Sequence, residues 1–144
     1  MLKTIPAVIS PELMFMLMKM GHGDEIVLAD GNFPADSHAQ RIVRADGHGV
    51  VELLNAILQF FPLDTFVPFP AFVMKPVGPA EDLPVIWSEF EQTIKQHDPN
   101  EIKLQQVERF AFYEHAKNAY AIVATGETAL YANLILKKGV VESS

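Results

Sequence analysis

Apolar and polar positions alternate along the chain in two kinds of segment, which predict helices and strands in turn. Residues 50–62 and 83–97 carry apolar side chains three and four positions apart, which predicts amphipathic helices. In the second helix Ile86, Phe90 and Ile94 share one face. A shorter helix is predicted at 111–119. Short apolar runs bounded by turn residues predict strands at 25–30, 71–77, 102–110, 120–125 and 133–141.

The segment SPELMFMLMKMG, residues 10–21, predicts the first helix. Ser10 can cap its N-terminus, Pro11 suits the first helical position, and Gly21 can end it. The side chains between are almost all apolar, so the helix has almost no polar face. We therefore expect it to be buried on most sides, partly by neighbouring copies of the chain.

This alternation predicts one α/β domain over residues 1–144, built as a three-layer sandwich whose mainly parallel central sheet is flanked by helices. In such folds ligands bind beyond the carboxyl ends of the strands. Asp30, Arg109 and Thr125 stand where predicted strands end. We therefore expect these polar residues to lie at the edge of the sheet where a ligand would bind.

Composition narrows the class of protein. The 49% share of hydrophobic residues favours an oligomer, because surplus apolar surface is commonly covered by subunit contacts. The formal charge of −7, without a basic cluster beyond Lys137 and Lys138, argues against a nucleic-acid partner. The absence of cysteine excludes a thiol nucleophile and a thiolate metal site. The apolar patch near the N-terminus is too short to span a membrane, so we expect no membrane partner and a cytoplasmic location.

The stretch GHGD offers a candidate proton carrier. His22 lies between two glycines, which leave its imidazole uncovered, and histidine exchanges protons near neutral pH. Asp30 can orient that imidazole or hold a substrate hydroxyl. The alternative is purely structural: Gly21 ends the helix, His22 bonds the last helical carbonyls, and Asp30 forms a turn.

The stretch GETALYAN offers hydrogen-bonding groups next to a predicted strand. Tyr131 and Asn133 can bond hydroxyl groups, whereas the alternative is a polar connection in which Glu127 and Thr128 cap a helical turn. Arg109 precedes a predicted helix, where a cation opposes the helix dipole. A ligand oxygen or a carboxylate should compensate it, and the structural alternative is a salt bridge to Glu108, Glu114 or another acid.

The absence of the common cofactor-binding motifs argues against a cofactor. The chain lacks the Gly-x-Gly-x-x-Gly dinucleotide motif, the phosphate-loop spacing and the His-Glu-x-x-His metal motif. Asp46 and His48, in ADGHGVVELL, are interpreted as part of a segment that caps the following helix. We therefore expect neither a cofactor nor a metal.

Two long motifs carry a family resemblance. With residues 10–35 and 108–141, and with RADG and LLNAIL between them, the chain resembles the L-fucose mutarotase branch of the fucose mutarotase / ribose pyranase family. The resemblance spans residues 1–141. It implies a cofactor-independent enzyme that interconverts the anomers of a free sugar, and homo-oligomeric rings, commonly decamers of two pentamers, with sites near subunit boundaries.

The resemblance also implies site residues. His22 is the proton donor, Asp30 and Arg109 bind substrate, and the segment Tyr131, Ala132 and Asn133 completes the site. The ribose branch usually has histidine where Arg109 stands, so Arg109 favours the fucose branch. Gly31, where alanine is commoner, and Ala132, where glycine is frequent, depart from the family pattern.

Mutarotation itself requires two proton transfers, one to the ring oxygen and one from the anomeric hydroxyl. His22 can perform one, and Tyr131 is our hypothesis for the second. Three alternatives stay open: pyran/furan interconversion of the ribose pyranase type, a non-catalytic monosaccharide-binding protein of the same fold, and a purely structural oligomer.

Overall fold

Six strands form one sheet with helices on both faces in the computed structural model, which describes residues 1–78 and 82–143. Residues 79–81 and 144 of the predicted domain lie outside the described part. The helices are α1 Pro11–Lys19, α2 Ala35–His38, α3 Val50–Ile57, α4 Val85–His97 and α5 Arg109–Asn118. The strands are β1 Glu25–Ala29, β2 Ile42–Ala45, β3 Ala71–Met74, β4 Gln105–Val107, β5 Ala121–Thr125 and β6 Leu134–Lys137.

The sheet has the strand order β2-β5-β1-β6-β3-β4. Strand β6 is antiparallel to β1 and β3, and every other neighbouring pair is parallel. The mainly parallel sheet is therefore confirmed, with one antiparallel strand in its interior. Strands β1 to β5 all end at one edge, here called the carboxyl edge, where β6 begins. The opposite side is called the amino edge.

Helices cover both faces of the sheet, which confirms the three layers. Side chains alternate along β1, so that Ile26 and Leu28 pack with α1, α3 and α4 while Val27 and Ala29 pack with α5. The predicted face of α4 is confirmed, because the side chains of Ile86, Phe90 and Ile94 are buried.

The sequence prediction missed α2 and β2. Helix α2 is a single turn after Pro34, too short to show a helical period. Strand β2 lies at the edge of the sheet, where the outward Arg44 interrupts its apolar pattern. Helix α3 stops at Ile57, well before Pro62, and the strands are shorter than predicted.

The starts of two helices differ from the prediction. At the start of α3, Asp46 pairs with Arg44 and His48 with Glu52 instead of capping the helix. The N–H of Val50 donates to the Glu127 carboxylate over 3.1 Å. At the start of α5, the Glu108 carboxylate accepts from the N–H of Ala111 over 3.0 Å. The helix therefore begins at Arg109, two residues before the predicted start at 111.

Helix α1 is only half covered within one copy. Ser10 caps it as predicted, accepting from the N–H of Leu13. Leu13 and Leu17 are buried, but Phe15 and Met18 are 58% and 79% exposed. Its burial by neighbouring copies stays a prediction. Over residues 1–78 and 82–143, every helix is too short or too polar to cross a membrane.

Candidate functional site

His22 lies in a tight turn at the amino edge. The chain leaves α1 through Met20, which is extended, so Gly21 does not end the helix as predicted. Gly23 has φ +86°, a conformation that only glycine adopts without a steric penalty, and its N–H donates to the Lys138 carbonyl over 2.8 Å. The turn is thereby fastened to the end of β6 and leaves the His22 side chain 46% exposed.

A buried carboxylate holds the imidazole. His22 Nε2 lies 3.0 Å from Oδ1 of Asp64, which is 5% exposed, and the ring of Phe66 lies 5.0 Å from the imidazole centroid. Two sequence interpretations are therefore wrong: Asp30 does not orient His22, and His22 does not close α1. Because a carboxylate only accepts hydrogen bonds, Nε2 carries the hydrogen and Nδ1 is left to exchange a proton.

Asp64 is suited to stay ionised at this position. Burial by itself raises its pKa, but the N–H of Phe66 and the bond from His22 together lower the pKa of this carboxyl below its ordinary value. Its own N–H donates to the Lys137 carbonyl over 3.0 Å, which ties the loop to β6. Asp64 is a site residue that was not predicted from the sequence. The signal was present, since an aspartate inside the apolar run FFPLDTFVPFP needs a polar partner if buried.

Asp30 and Asn133 form a reciprocal pair at the carboxyl edge. The N–H of Asp30 donates to Oδ1 of Asn133 over 2.7 Å, and Nδ2 of Asn133 donates to Oδ2 of Asp30 over 3.1 Å. Both residues are buried. Asp30 also forms the turn considered as its structural alternative, since its Oδ1 accepts from the N–H of Asn32 over 3.0 Å.

The charge on Asp30 is opposed by burial and favoured by its donors. Burial raises the pKa of Asp30 above its ordinary value, and the N–H groups of Asn32, Ala132 and Phe33 and the amide of Asn133 offset part of that rise. Ala132 is completely buried, so its contribution comes through its backbone.

Tyr131 adopts a left-handed backbone, with φ +54°. A residue with a side chain held in this region costs on the order of 1–3 kcal/mol, and such residues cluster at functional sites. Its carbonyl accepts from Nε1 of Trp87 over 2.8 Å, and its hydroxyl oxygen accepts from the N–H of Val77 over 3.0 Å. The preceding turn follows the predicted capping alternative in part, because the Glu127 carboxylate accepts from the N–H groups of Thr128 and Ala129.

Arg109 stands at the same edge but apart from Asp30. It is the first residue of α5, after β4, three strands away from β1, or about 14 Å at the usual strand spacing. Its guanidinium carbon lies 4.8 Å from the Phe110 ring centroid. The predicted alternative of a salt bridge finds no support within residues 1–78 and 82–143, where no carboxylate pairs with this side chain.

The structure therefore divides the predicted site residues into two groups. Asp30, Arg109 and the segment 131–133 lie at the carboxyl edge, whereas His22 lies at the amino edge with Asp64. The five residues of β1 separate the two groups by about 16 Å, too far for one monosaccharide to contact both within one chain.

Clefts open at the carboxyl edge on both sides of the Asp30–Asn133 pair. One, of about 460 Å³, is lined by Asp30 and Thr125. The other, of about 420 Å³, is lined by Tyr131, Val85 and Leu130. Among the described residues, no cluster of three or more histidine or acidic side chains is arranged to hold a metal ion.

Comparison with known proteins assigns the chain to a family. The model of the RbsD / FucU transport protein family matches residues 3–141. The chain belongs to this family. It is similar to the human protein named fucose mutarotase, with 52% identity over 96% of the chain and 94% of that protein. It is 48% identical to the L-fucose mutarotase of Histophilus somni strain 2336, over 97% of each chain.

The RbsD / FucU fold is shared with a solved relative. The crystal structure of the fucose mutarotase from Streptococcus pneumoniae, in complex with L-fucose, superposes with a TM-score of 0.93. That protein is 51% identical, and the match covers 98% of this chain and 100% of that one. The family resemblance carried by the two long motifs is thereby confirmed.

Proposed function

We propose that the chain is a sugar mutarotase, an isomerase that interconverts the α and β anomers of L-fucose or a related free monosaccharide without a cofactor. The observation that carries this proposal is the half-exposed His22, whose Nε2 is fixed on the buried Asp64 carboxylate. Similarity over almost the whole chain to proteins named fucose mutarotase supports the substrate class.

The chemistry follows from the two nitrogens of His22. In the protonated ring, Nδ1–H donates a proton to the ring oxygen of the sugar as the bond between that oxygen and the anomeric carbon breaks. Loss of the proton from the anomeric hydroxyl completes the open aldehyde. Rotation about the adjacent carbon–carbon bond and reversal of both transfers then give the other anomer. The ionised Asp64 stabilises the imidazolium and fixes the ring.

The group that takes the second proton is proposed to be Tyr131. Tyr131 would act as a relay: its hydroxyl oxygen, which also accepts from the N–H of Val77, takes the anomeric proton while its own O–H gives a proton to solvent. Asp30 and Asn133 retain lone pairs and amide hydrogens for sugar hydroxyls, and the backbone of Ala132 completes this surface. Arg109 follows β4, the neighbour of β3, and so lies on the Tyr131 side of this surface, where its long side chain is proposed to reach a sugar hydroxyl by a charge-assisted hydrogen bond.

Because the two groups lie at opposite edges, we propose that two copies of the chain form each site, with His22 and Asp64 from one and the carboxyl-edge residues from the other. Exposed apolar side chains flank both groups: Phe66 beside His22, and Leu130 beside Tyr131. The proposal includes the decamer of two pentameric rings, of about 160 kDa for a 16.0 kDa chain, and a cytoplasmic location. A native mass near that of one chain refutes it.

Saturation-transfer NMR on the anomeric protons tests the function. L-Fucose, D-ribose and D-galactose are compared with and without protein. Enzyme-dependent transfer between the α and β signals, lost in His22→Asn, supports the mutarotase. His48→Asn is a matched control, because the His48 imidazole pairs with the exposed Glu52 carboxylate and not with a predicted site residue, and it should leave transfer unchanged.

Other results favour the alternatives. Binding of sugar without transfer favours a monosaccharide-binding protein. Transfer confined to D-ribose favours the pyranase type, and absence of saturable binding to any sugar favours a structural oligomer.

A further inference from the structure

Trp87 is the one tryptophan of the chain, and its indole Nε1 donates a hydrogen bond to a residue of the candidate site. It lies in the first turn of α4, with its indole packed in the core that α4 shares with the sheet. A buried indole N–H needs an acceptor, and indole has no other polar atom. That acceptor is the carbonyl of Tyr131, at 2.8 Å.

The same peptide unit is held from its other side. The carbonyl of Tyr131 and the N–H of Ala132 belong to one planar group, so fixing one fixes the direction of the other. The carbonyl accepts from Nε1 of Trp87, and the N–H faces the Asp30 carboxylate, where it helps to lower the pKa of that carboxyl. Trp87 therefore aims a backbone donor at a proposed substrate-binding carboxylate, although its side chain points into the core.

The left-handed backbone of Tyr131 explains why such a hold is needed. A tyrosine relaxes readily to negative φ, and this rotation would carry its carbonyl away from the indole. Within the described part of the chain, the only other hydrogen bond of Tyr131 joins its hydroxyl to the N–H of Val77, which lies in an exposed loop. The anchor of the backbone is thus the core residue.

We infer that Trp87 is a positioning residue, which holds Tyr131 in its left-handed conformation and thereby aligns the Tyr131 hydroxyl, the Ala132 N–H and the Asp30–Asn133 pair for the sugar. This inference rests on the proposed function. Trp87 makes no contact with the substrate, and its effect on the site passes through one hydrogen bond.

The test removes that hydrogen bond and keeps the shape. Benzothienylalanine at position 87 replaces the indole N–H by sulfur, and Trp87→Phe is a second, simpler variant. Phe90→Leu is the matched control, since Phe90 is a buried aromatic of the same helix, with no polar atom. All variants are compared at a temperature where thermal unfolding shows each to be folded, by anomer exchange of L-fucose.

We expect benzothienylalanine and Trp87→Phe to lower exchange about tenfold or more, with the larger part of the loss in kcat, because a displacement of about 1 Å in a reacting group costs up to a hundredfold. Phe90→Leu should lose stability but keep its rate. Exchange at the wild-type rate in the benzothienylalanine protein overturns the inference, as does an equal loss of rate in Phe90→Leu.

A second readout does not depend on activity. Hydrogen exchange of the single indole N–H is followed by NMR, and exchange as slow as that of core backbone amides supports the bond to Tyr131. Exchange at the rate of a free indole overturns it. Absence of anomer exchange in the wild type contradicts the proposed function alone and leaves this second readout to judge the hydrogen bond.

Discussion

Gly139→Ala should uncouple His22 from Asp64 without touching either side chain. A β-carbon at position 139 would lie 2.6 Å from the carbonyl oxygen of Leu63 and 2.8 Å from the Cα of Asp64. Both are backbone atoms, and an ordinary contact begins near 3.4 Å, so the Leu63–Asp64 chain must move by about 0.8 Å. The hydrogen bond of 3.0 Å to His22 must then lengthen or bend.

The magnitude follows from this displacement. Crowding of this kind costs about 1–3 kcal/mol of unfolding free energy. A shift of about 1 Å in a catalytic group costs up to about a hundredfold in rate. We therefore expect kcat/KM for anomer exchange to fall 10- to 100-fold in protein that remains folded and binds L-fucose.

Saturation-transfer NMR measures the rate, and urea denaturation measures the stability. Gly21→Ala is the matched control: it adds the same methyl group one residue from His22, but its nearest neighbour would be at 3.7 Å, an ordinary contact. Its rate should match the wild type. If Gly139→Ala exchanges anomers as fast as Gly21→Ala, the coupling between Asp64 position and catalysis is refuted.

Three further predictions concern stability and assembly. Asn133→Ala should lower the unfolding free energy by about 1–3 kcal/mol in urea denaturation, because the buried N–H of Asp30 loses its acceptor; a loss below the error of the measurement would contradict this. The stability advantage of wild type over Asp64→Asn should be full at neutral pH and decline as the pH falls through the lowered pKa of Asp64, because the unfolded state then binds more protons than the folded state. Unfolding free energies at several pH values check this, and a difference that does not change with pH would contradict it. Leu130→Asp should lower the native mass in light scattering, because it puts a charge on an exposed apolar side chain beside the site; an unchanged mass argues against contact there.

Periodic segments were the predictable part of the fold. The face of α4 formed by Ile86, Phe90 and Ile94 follows from spacing alone, because a long helix repeats its signal. The single turn of α2 repeats nothing, and β2 is an edge strand whose arginine breaks the apolar run. Local sequence also could not show that Glu127 caps a helix 77 residues away.

The residues at the carboxyl edge of the candidate site were predictable from the sequence, whereas the pairing of His22 with Asp64 was not. Strand ends placed Asp30 at the carboxyl edge correctly, because parallel strands share one such edge. The family resemblance named Asn133 as a site residue but did not show that it pairs with Asp30. The pairing of His22 with Asp64 joins residues 42 positions apart. It depends on β6 running antiparallel and bringing Lys137 and Lys138 beside both turns, which alternation of helix and strand does not reveal.

The reversed strand β6 has a consequence for symmetry. It runs from Asn133 at the carboxyl edge to the residues beside His22 and Asp64 at the amino edge, so the two unlike halves of the proposed site lie at opposite ends of each copy. Unlike halves join head to tail, and such heterologous contacts propagate until a rotation closes them into a ring. An open pair completes one site and leaves two halves unused, whereas a closed ring completes as many sites as it has members. Ring closure would then be a condition of full activity rather than only of stability.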